Sequence, residues 1–255
     1  MKKTISIIIS IAMCAMLASC GGVKNEVSDT EQPTLIDTMS LEEKVGQILF
    51  VRCVDDEQTD DLMSIKPGGI LMFGRDFEGL TKDEVKEKIR KIQSYQDKSD
   101  IPLIIGADEE GGTVVRVSSN PNLAPEKFKS PQEIYNEGGM DAVVENATEK
   151  SELLLSLGVN MNLAPVADVS TNPSDYMYDR SLGQNAEVTA DFVSKTVTAM
   201  NNAGIMSVLK HFPGYGGVGG DSHQGTVYDD KTAESICEND LLPFKAGIEA
   251  GASSV

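Results

Sequence analysis

The chain has 255 residues, room for one large domain or two small ones, with 40 acidic against 22 basic residues and a formal net charge of −18. A surface of that sign repels nucleic acid and anionic lipid, so neither is expected as a partner. With 4 cysteines and 2 histidines in all, a disulfide framework and a zinc centre are both poorly supplied.

Met1-Lys2-Lys3 is a positive leader, and Ile5 to Leu17 is an apolar stretch too short to span a bilayer. Leu17-Ala18-Ser19-Cys20 then resembles a bacterial lipobox, with Cys20 as the lipidated residue. An ordinary secretory signal with an incidental cysteine is the alternative. Residues 1–19 are accordingly expected to be a lipoprotein signal peptide, and the polar residues 20–33 a flexible tether. That would hold the folded part, residues 34–255, on the outward face of a bacterial cell membrane through a lipid anchor. Cys53 and Cys237 remain, and one pair does not fix a disulfide.

Ser40-Leu41-Glu42-Glu43 is a capping box that opens a helix through about Ile48, and Leu49-Phe50-Val51 is a first strand. Gly68 to Gly74 is an apolar run bounded by glycine, a second strand. Thr81-Lys82-Asp83-Glu84 is another capping box, opening a charged amphipathic helix to about Gln96. Ile101 to Ala107 form a third strand with Asp108 at its end. Ser130-Pro131-Gln132-Glu133 starts a helix, with Pro131 suited to its first position, and a further helix runs from about Asp141 to Leu157. A fourth strand spans Gly158 to Ala164, a helix Val188 to Ala203, a fifth strand Ile205 to Leu209 and a helix Leu241 to Ala250. Ala252-Ser253-Ser254-Val255 reads as the start of a sixth strand.

This alternation predicts an α/β fold with a parallel sheet covered by helices. Functional groups at strand ends, and the lack of a dinucleotide fingerprint after the first strand, favour an incomplete (β/α)8 TIM-type barrel over a doubly wound sheet. A full barrel takes about 250 residues, and the chain stops inside an apolar run. It is therefore expected to be the N-terminal part of a longer protein.

The fifth strand delivers Lys210 and His211, and both histidines of the chain lie in the segment Lys210 to Gly225. A histidine changes charge near neutral pH, and a carboxylate beside it orients the ring, so Asp221 and His223 can pass a proton if the loop turns between them. The glycines of this segment suit a turn and a segment able to move. For an isolated Asp-x-His, a solvated surface histidine is the plainer account; the Lys-His at the strand end tips the balance towards a site. No third histidine or cysteine cluster completes a metal site, and no Gly-Lys-Ser/Thr phosphate loop is present, so neither metal nor cofactor is expected. After the third strand, Asp108 to Arg116 puts carboxylates and a guanidinium at the sheet's mouth. Charged groups there make the short, directional hydrogen bonds that sugar hydroxyls accept and donate. An acidic turn is the alternative. Pro165 ends the fourth strand's ladder, and Asp168 beyond it reads as structural.

Lys210-His211-Phe212-Pro213-Gly214-Tyr215-Gly216, a short spacer and Asp221-Ser222-His223 resemble the signature of glycoside hydrolase family 3, in its β-N-acetylhexosaminidase branch. Asp108 to Arg116 resembles the family's Asp-x-Glu-Gly-Gly-x-Val-x-Arg motif, and Arg180-Ser181-Leu182-Gly183 its Arg-Ser-Phe-Gly segment. Tyr215 stands where the common form has a second histidine, and Leu182 where an aromatic is usual. The resemblance implies a retaining hydrolase that releases terminal β-linked N-acetylhexosamine from cell-wall or chitin fragments. By the same resemblance His223 is the acid/base and Asp221 its partner, while Asp108, Arg116, Arg180, Lys210 and His211 bind the sugar. Glu109 and Glu110 are weaker candidates, one of them for tying down its loop. The nucleophile is implied to be an Asp beyond Val255, so the chain alone is expected to be inactive. The rivals are a β-glucosidase or phosphorylase of the same family, and a lipid-anchored sugar-binding protein. The retained Asp-Ser-His argues against the glucosidase and the binding protein.

Overall fold

A computed structural model describes residues 34–96 and 101–255. The expected signal peptide, Cys20 and tether lie outside the described residues. Helix α1 (Leu35–Thr38) belongs to an N-terminal unit that ends at Met39, and Thr34 caps it through Asp37. The second unit runs from Ser40 to Val255.

That unit opens with α2 (Leu41–Gln47), and the Ser40 capping box forms as its sequence requires. Ser40 Oγ accepts from Glu43 N at 3.2 Å, and the Glu43 carboxylate accepts from Ser40 N at 2.9 Å. There follow β1 (Phe50–Arg52), α3 (Asp56–Ser64), β2 (Gly69–Met72), a 3-10 turn (Gly74–Asp76), α4 (Lys82–Ser94) and β3 (Ile104–Ala107). Next come α5 (Pro131–Leu157), β4 (Met161–Asn162), α6 (Ala186–Ala203) and β5 (Met206–Ser207). The chain ends with α7 (Ala233–Ser235), a π turn (Ile236–Asp240) and α8 (Leu241–Glu249).

The sheet has five strands in the order β1-β2-β3-β4-β5, every neighbour parallel. Ser254 continues it beside β5: Leu209 N donates to Ser254 O at 3.0 Å, and Ser254 N to Ser207 O at 3.1 Å. Five parallel strands and the start of a sixth, open rather than closed, are what the βα alternation predicted.

Several details differ from the sequence expectation. α3 was not anticipated, because its acidic stretch shows no apolar stripe. The expected helices at Ser130 and Asp141 form one run, kinked at Gly139 with φ 65° and ψ −155°, a conformation that essentially only glycine reaches. β4 and β5 are each two residues long, far shorter than their apolar runs. Their backbones nevertheless stay side by side: Val166 bridges Lys210, and Ala167 N donates to Lys210 O at 2.7 Å.

Strand alternation sends Ile70, Met72, Ile105 and Ala107 into a buried cluster with Val85, Ile89 and Ile92 of α4 and Leu154 and Leu157 of α5. Each large apolar side chain so buried contributes about 1.5–3 kcal/mol. Phe192, Val193 and Val197 of α6 join Leu209 and Phe244 in a second cluster. These two cores fix the helical side of the sheet, so the polar residues just past β3, β4 and β5 emerge along one edge.

Candidate active site

Asp108 follows β3, Asp168 lies beyond β4, and Lys210 and His211 lie beyond β5. Lys210 Nζ sits 2.7 Å from Asp108 Oδ1 and 2.6 Å from Glu110 Oε1. Arg180, from the β4–α6 loop, holds Glu110 with both arms, Nε to Oε2 at 2.9 Å and Nη2 to Oε1 at 2.7 Å. The same Arg180 Nη2 lies 3.2 Å from His211 Nε2, and His211 Nδ1 lies 2.7 Å from Asp168 Oδ2. Those neighbours assign the ring's tautomer: Nδ1–H donates to Asp168, and Nε2 accepts from Arg180. Arg116 Nη2 completes the row 3.6 Å from Asp108 Oδ2, with its carbon 5.8 Å from the centre of the Phe73 ring. The five predicted sugar-binding residues, Asp108, Arg116, Arg180, Lys210 and His211, therefore stand in one continuous network. Glu110 and Asp168 complete it, giving three carboxylates against three permanent cations.

Glu110 is the hub of that network. Burial pushes its carboxyl up, but the Arg180 hydrogen bonds and the Lys210 charge outweigh burial and hold it below the usual carboxylate range. Glu109, fully buried, faces the other way and closes the 109–118 loop. It accepts from Arg116 N at 2.8 Å, Val117 N at 2.7 Å, Ser118 N at 3.2 Å and the Ser118 hydroxyl. Behind both, Lys150 of α5 donates to Glu110 O at 2.8 Å; burial pushes its ammonium down to about 8, against the pull of Glu109 and Glu110.

Asp168 is also fully buried. Besides the His211 ring, it accepts from His211 N at 3.1 Å and from Tyr215 N at 2.6 Å, so it anchors the first turn of the next loop. The Lys210-His211 and Phe212-Pro213 peptides in that turn are cis. Gly216 then passes so close to β4's extension that a Cβ there would lie 1.9 Å from Val169 O. Lys231 fixes the far side, donating to Gly216 O at 2.8 Å and pairing with Asp240 at 2.5 Å.

At the tip the chain turns between Asp221 and His223, as pairing requires. His223 Nδ1 lies 2.7 Å from Asp221 Oδ1, and His223 N donates to the same oxygen at 3.0 Å. Those two bonds, with help from Gln224 and Tyr176, hold the Asp221 carboxyl down at about 2. The His223 side chain is 80% exposed, with Nε2 unencumbered by the Asp221 bond. Two tyrosines link this dyad to the floor: Tyr215 bonds the backbone on both sides of Asp221, its ring is 5.7 Å from that of Tyr176, and it is 6.1 Å from His211.

Sequence reasoning missed the roles of Lys150 and Tyr176 and set Glu110 too low. Glu110 shares a Glu-Glu pair in which nothing marks one residue as the hub, and Tyr176 lies in an irregular loop without periodicity. Among the described residues there is no cluster of three or more His, Cys, Asp or Glu arranged to hold a metal ion, and no helix long and apolar enough to cross a membrane.

Residues 40–255 match the glycosyl hydrolase family 3 N terminal domain. A β-hexosaminidase A of Pseudoalteromonas piscicida is 33% identical over 184 residues, 72% of this chain and 31% of that protein. A β-hexosaminidase of Xanthomonas oryzae pv. oryzae is 31% identical over 201 residues, 78% of this chain and 58% of that protein. Among solved structures, a glycoside hydrolase family 3 β-N-acetylglucosaminidase from Paenibacillus sp. superposes with a TM-score of 0.76 at 29% identity, covering 84% of this chain and 41% of that one. The chain thus spans between about a third and somewhat over half of the length of these relatives. With the family profile matched over the whole barrel portion, and its motifs gathered at one edge of the sheet, the chain belongs to glycosyl hydrolase family 3.

Proposed function

We propose that the full-length protein carrying this chain is a retaining β-N-acetylhexosaminidase, and that residues 40–255 supply its sugar-binding floor and its proton donor. The observation that carries this is the 2.7 Å bond between Asp221 and His223 on the loop leaving β5, beside a floor of paired charges. The relatives that bear the name β-hexosaminidase support the substrate class, a terminal β-linked N-acetylhexosamine.

Charged groups on the floor bind sugar hydroxyls with short hydrogen bonds. His223 Nε2 gives its proton to the glycosidic oxygen as the bond from that oxygen to the anomeric carbon breaks and a carboxylate bonds to that carbon. Water then adds to the anomeric carbon, its proton passes to Nε2, and the carboxylate leaves. Asp108, Glu110 and Asp168 are each engaged by at least two donors, and Glu109 by four. The attacking carboxylate is assigned, as the family resemblance implies, to an Asp beyond Val255. We also assign a lipid anchor to Cys20, on the strength of the Leu17–Cys20 pattern, with the enzyme facing outward and acting on amino-sugar oligosaccharides.

The test is turnover of aryl and disaccharide substrates by the full-length protein, as N-acetylglucosaminides and as glucosides, with and without phosphate. Hydrolysis of the N-acetylglucosaminides with the β-anomer formed first is expected. His223→Ala should lower kcat/KM on the disaccharide by about 10²–10⁴. Preference for glucosides, sugar phosphate as product, or tight binding without turnover would each replace this assignment with one of its rivals.

A further inference from the structure

We infer that Tyr215 is a positioning residue for the proton donor: its hydroxyl cross-braces the neck of the loop on both sides of Asp221, and the Tyr176 ring packs against that brace from the neighbouring loop. The premise is that His223 is the proton donor, as proposed above.

A tyrosine hydroxyl has one hydrogen to give and two lone pairs to receive with. Tyr215 uses both capacities within its own loop. Its Oη donates to Gly220 O at 2.5 Å and accepts from Ser222 N at 2.8 Å, and these residues flank Asp221. The root of the tyrosine is fixed as well, since Tyr215 N donates to the buried Asp168 carboxylate at 2.6 Å. The brace therefore runs from a fully buried carboxylate, along a rigid ring, to the two peptide groups on either side of Asp221.

The second loop reinforces the same point. The Tyr176 ring lies 5.7 Å from that of Tyr215, and its backbone N donates to Val218 O at 3.4 Å, where the Val218 side chain is buried. Between Gly216 and Gly220 the loop has no regular structure, so these contacts, with the Lys231 bond to Gly216 O, limit its excursions. Glycines in such a stretch leave the backbone free to wander, and a proton donor misplaced by about 1 Å costs about a hundredfold in rate.

The test compares two leaving groups in the full-length protein. A disaccharide needs protonation to depart, whereas a dinitrophenyl group leaves without it. Tyr215→Phe keeps the ring and removes both hydrogen bonds. It should lower kcat/KM on the disaccharide about tenfold, a part of the whole acid contribution, and leave the dinitrophenyl glycoside within about twofold. In a His223→Ala background the same substitution should have no further effect, because it acts through that ring. Equal losses on both leaving groups, a parent-like rate on both, or an undiminished effect without His223 would overturn the inference. If His223→Ala itself is as active as the parent on the disaccharide, the assignment of His223 falls and the inference with it. Should Tyr215→Phe be recovered unfolded, Tyr176→Leu, which removes the ring packed on Tyr215, decides: a selective loss on the disaccharide supports the brace, and an unselective or absent loss overturns it.

Discussion

Glu110 accepts two hydrogen bonds from Arg180 and a third contact from Lys210, while 1% of its side chain meets solvent. Removing one member of a buried ion cluster leaves the others charged and unpaired, which costs about 3–5 kcal/mol. Glu110→Gln is therefore expected to lower the urea-unfolding free energy by about that amount. Because the folded-state pKa of Glu110 lies below its ordinary value, its stabilisation is present above the ordinary carboxylate range and is lost as pH falls through the lowered value. That acid limb should flatten in the variant. Lys150 works with the opposite sign. Burial lowers its pKa from 10.5 to about 8, so the unfolded chain holds the proton more tightly between those values and stability rises as pH climbs through that window. Below it, the buried charge costs roughly 3 kcal/mol. Lys150→Met should abolish the rise between pH 8 and 10 in unfolding titrations. The charges Asp108, Arg116, Arg180, Lys210 and His211 were legible in the sequence as motif members, but which carboxylate joins them was not. Glu109 and Glu110 differ only in the face their backbone presents, and that is fixed by Asn162, whose side chain bonds Glu109 N and O at 3.0 and 3.1 Å.

At the scale of the element, the loop from β5 to α7 depends on one close approach. A methyl group on Gly216 would lie 1.9 Å from Val169 O and 2.4 Å from its carbonyl carbon, both backbone atoms that cannot swing aside. Gly216→Ala must push the loop off β4's extension by about 1 Å, which is worth about a hundredfold in rate. Measured on a disaccharide substrate, kcat/KM should fall by that order, with the fall largely absent for a dinitrophenyl glycoside. The helices with capping boxes, α2, α4 and the start of α5, were readable because the box is a local contract between two side chains and two N–H groups. α3 has no side-chain cap, and α7 passes into a π turn after one turn, so neither leaves a clear trace in sequence. β4 and β5 were overestimated for another reason: their apolar runs continue into backbone that lies alongside its neighbour with only isolated bridges.

The order of the whole sheet was legible, since alternating strands and helices with right-handed crossovers leave few arrangements of a parallel sheet. Convergence of the strand ends was not, because distances between Asp108 and Lys210, or between Arg180 and Glu110, are set by the packing of two separate cores. The anchor assigned to Cys20 is a property of the entire polypeptide and calls for a cellular measurement. Cys20→Ala should move the full-length protein from the membrane fraction to the soluble one without changing its kcat. Retention of the variant with the membrane would remove the anchor from Cys20.

Asp168, fully buried, receives the His211 ring on one side and the Tyr215 peptide on the other. On the proposed assignments, a sugar bound at His211 would press on the same carboxylate that anchors the loop of Asp221 and His223. The proposed sugar floor and the proposed acid loop would then be geared together at a single hidden post.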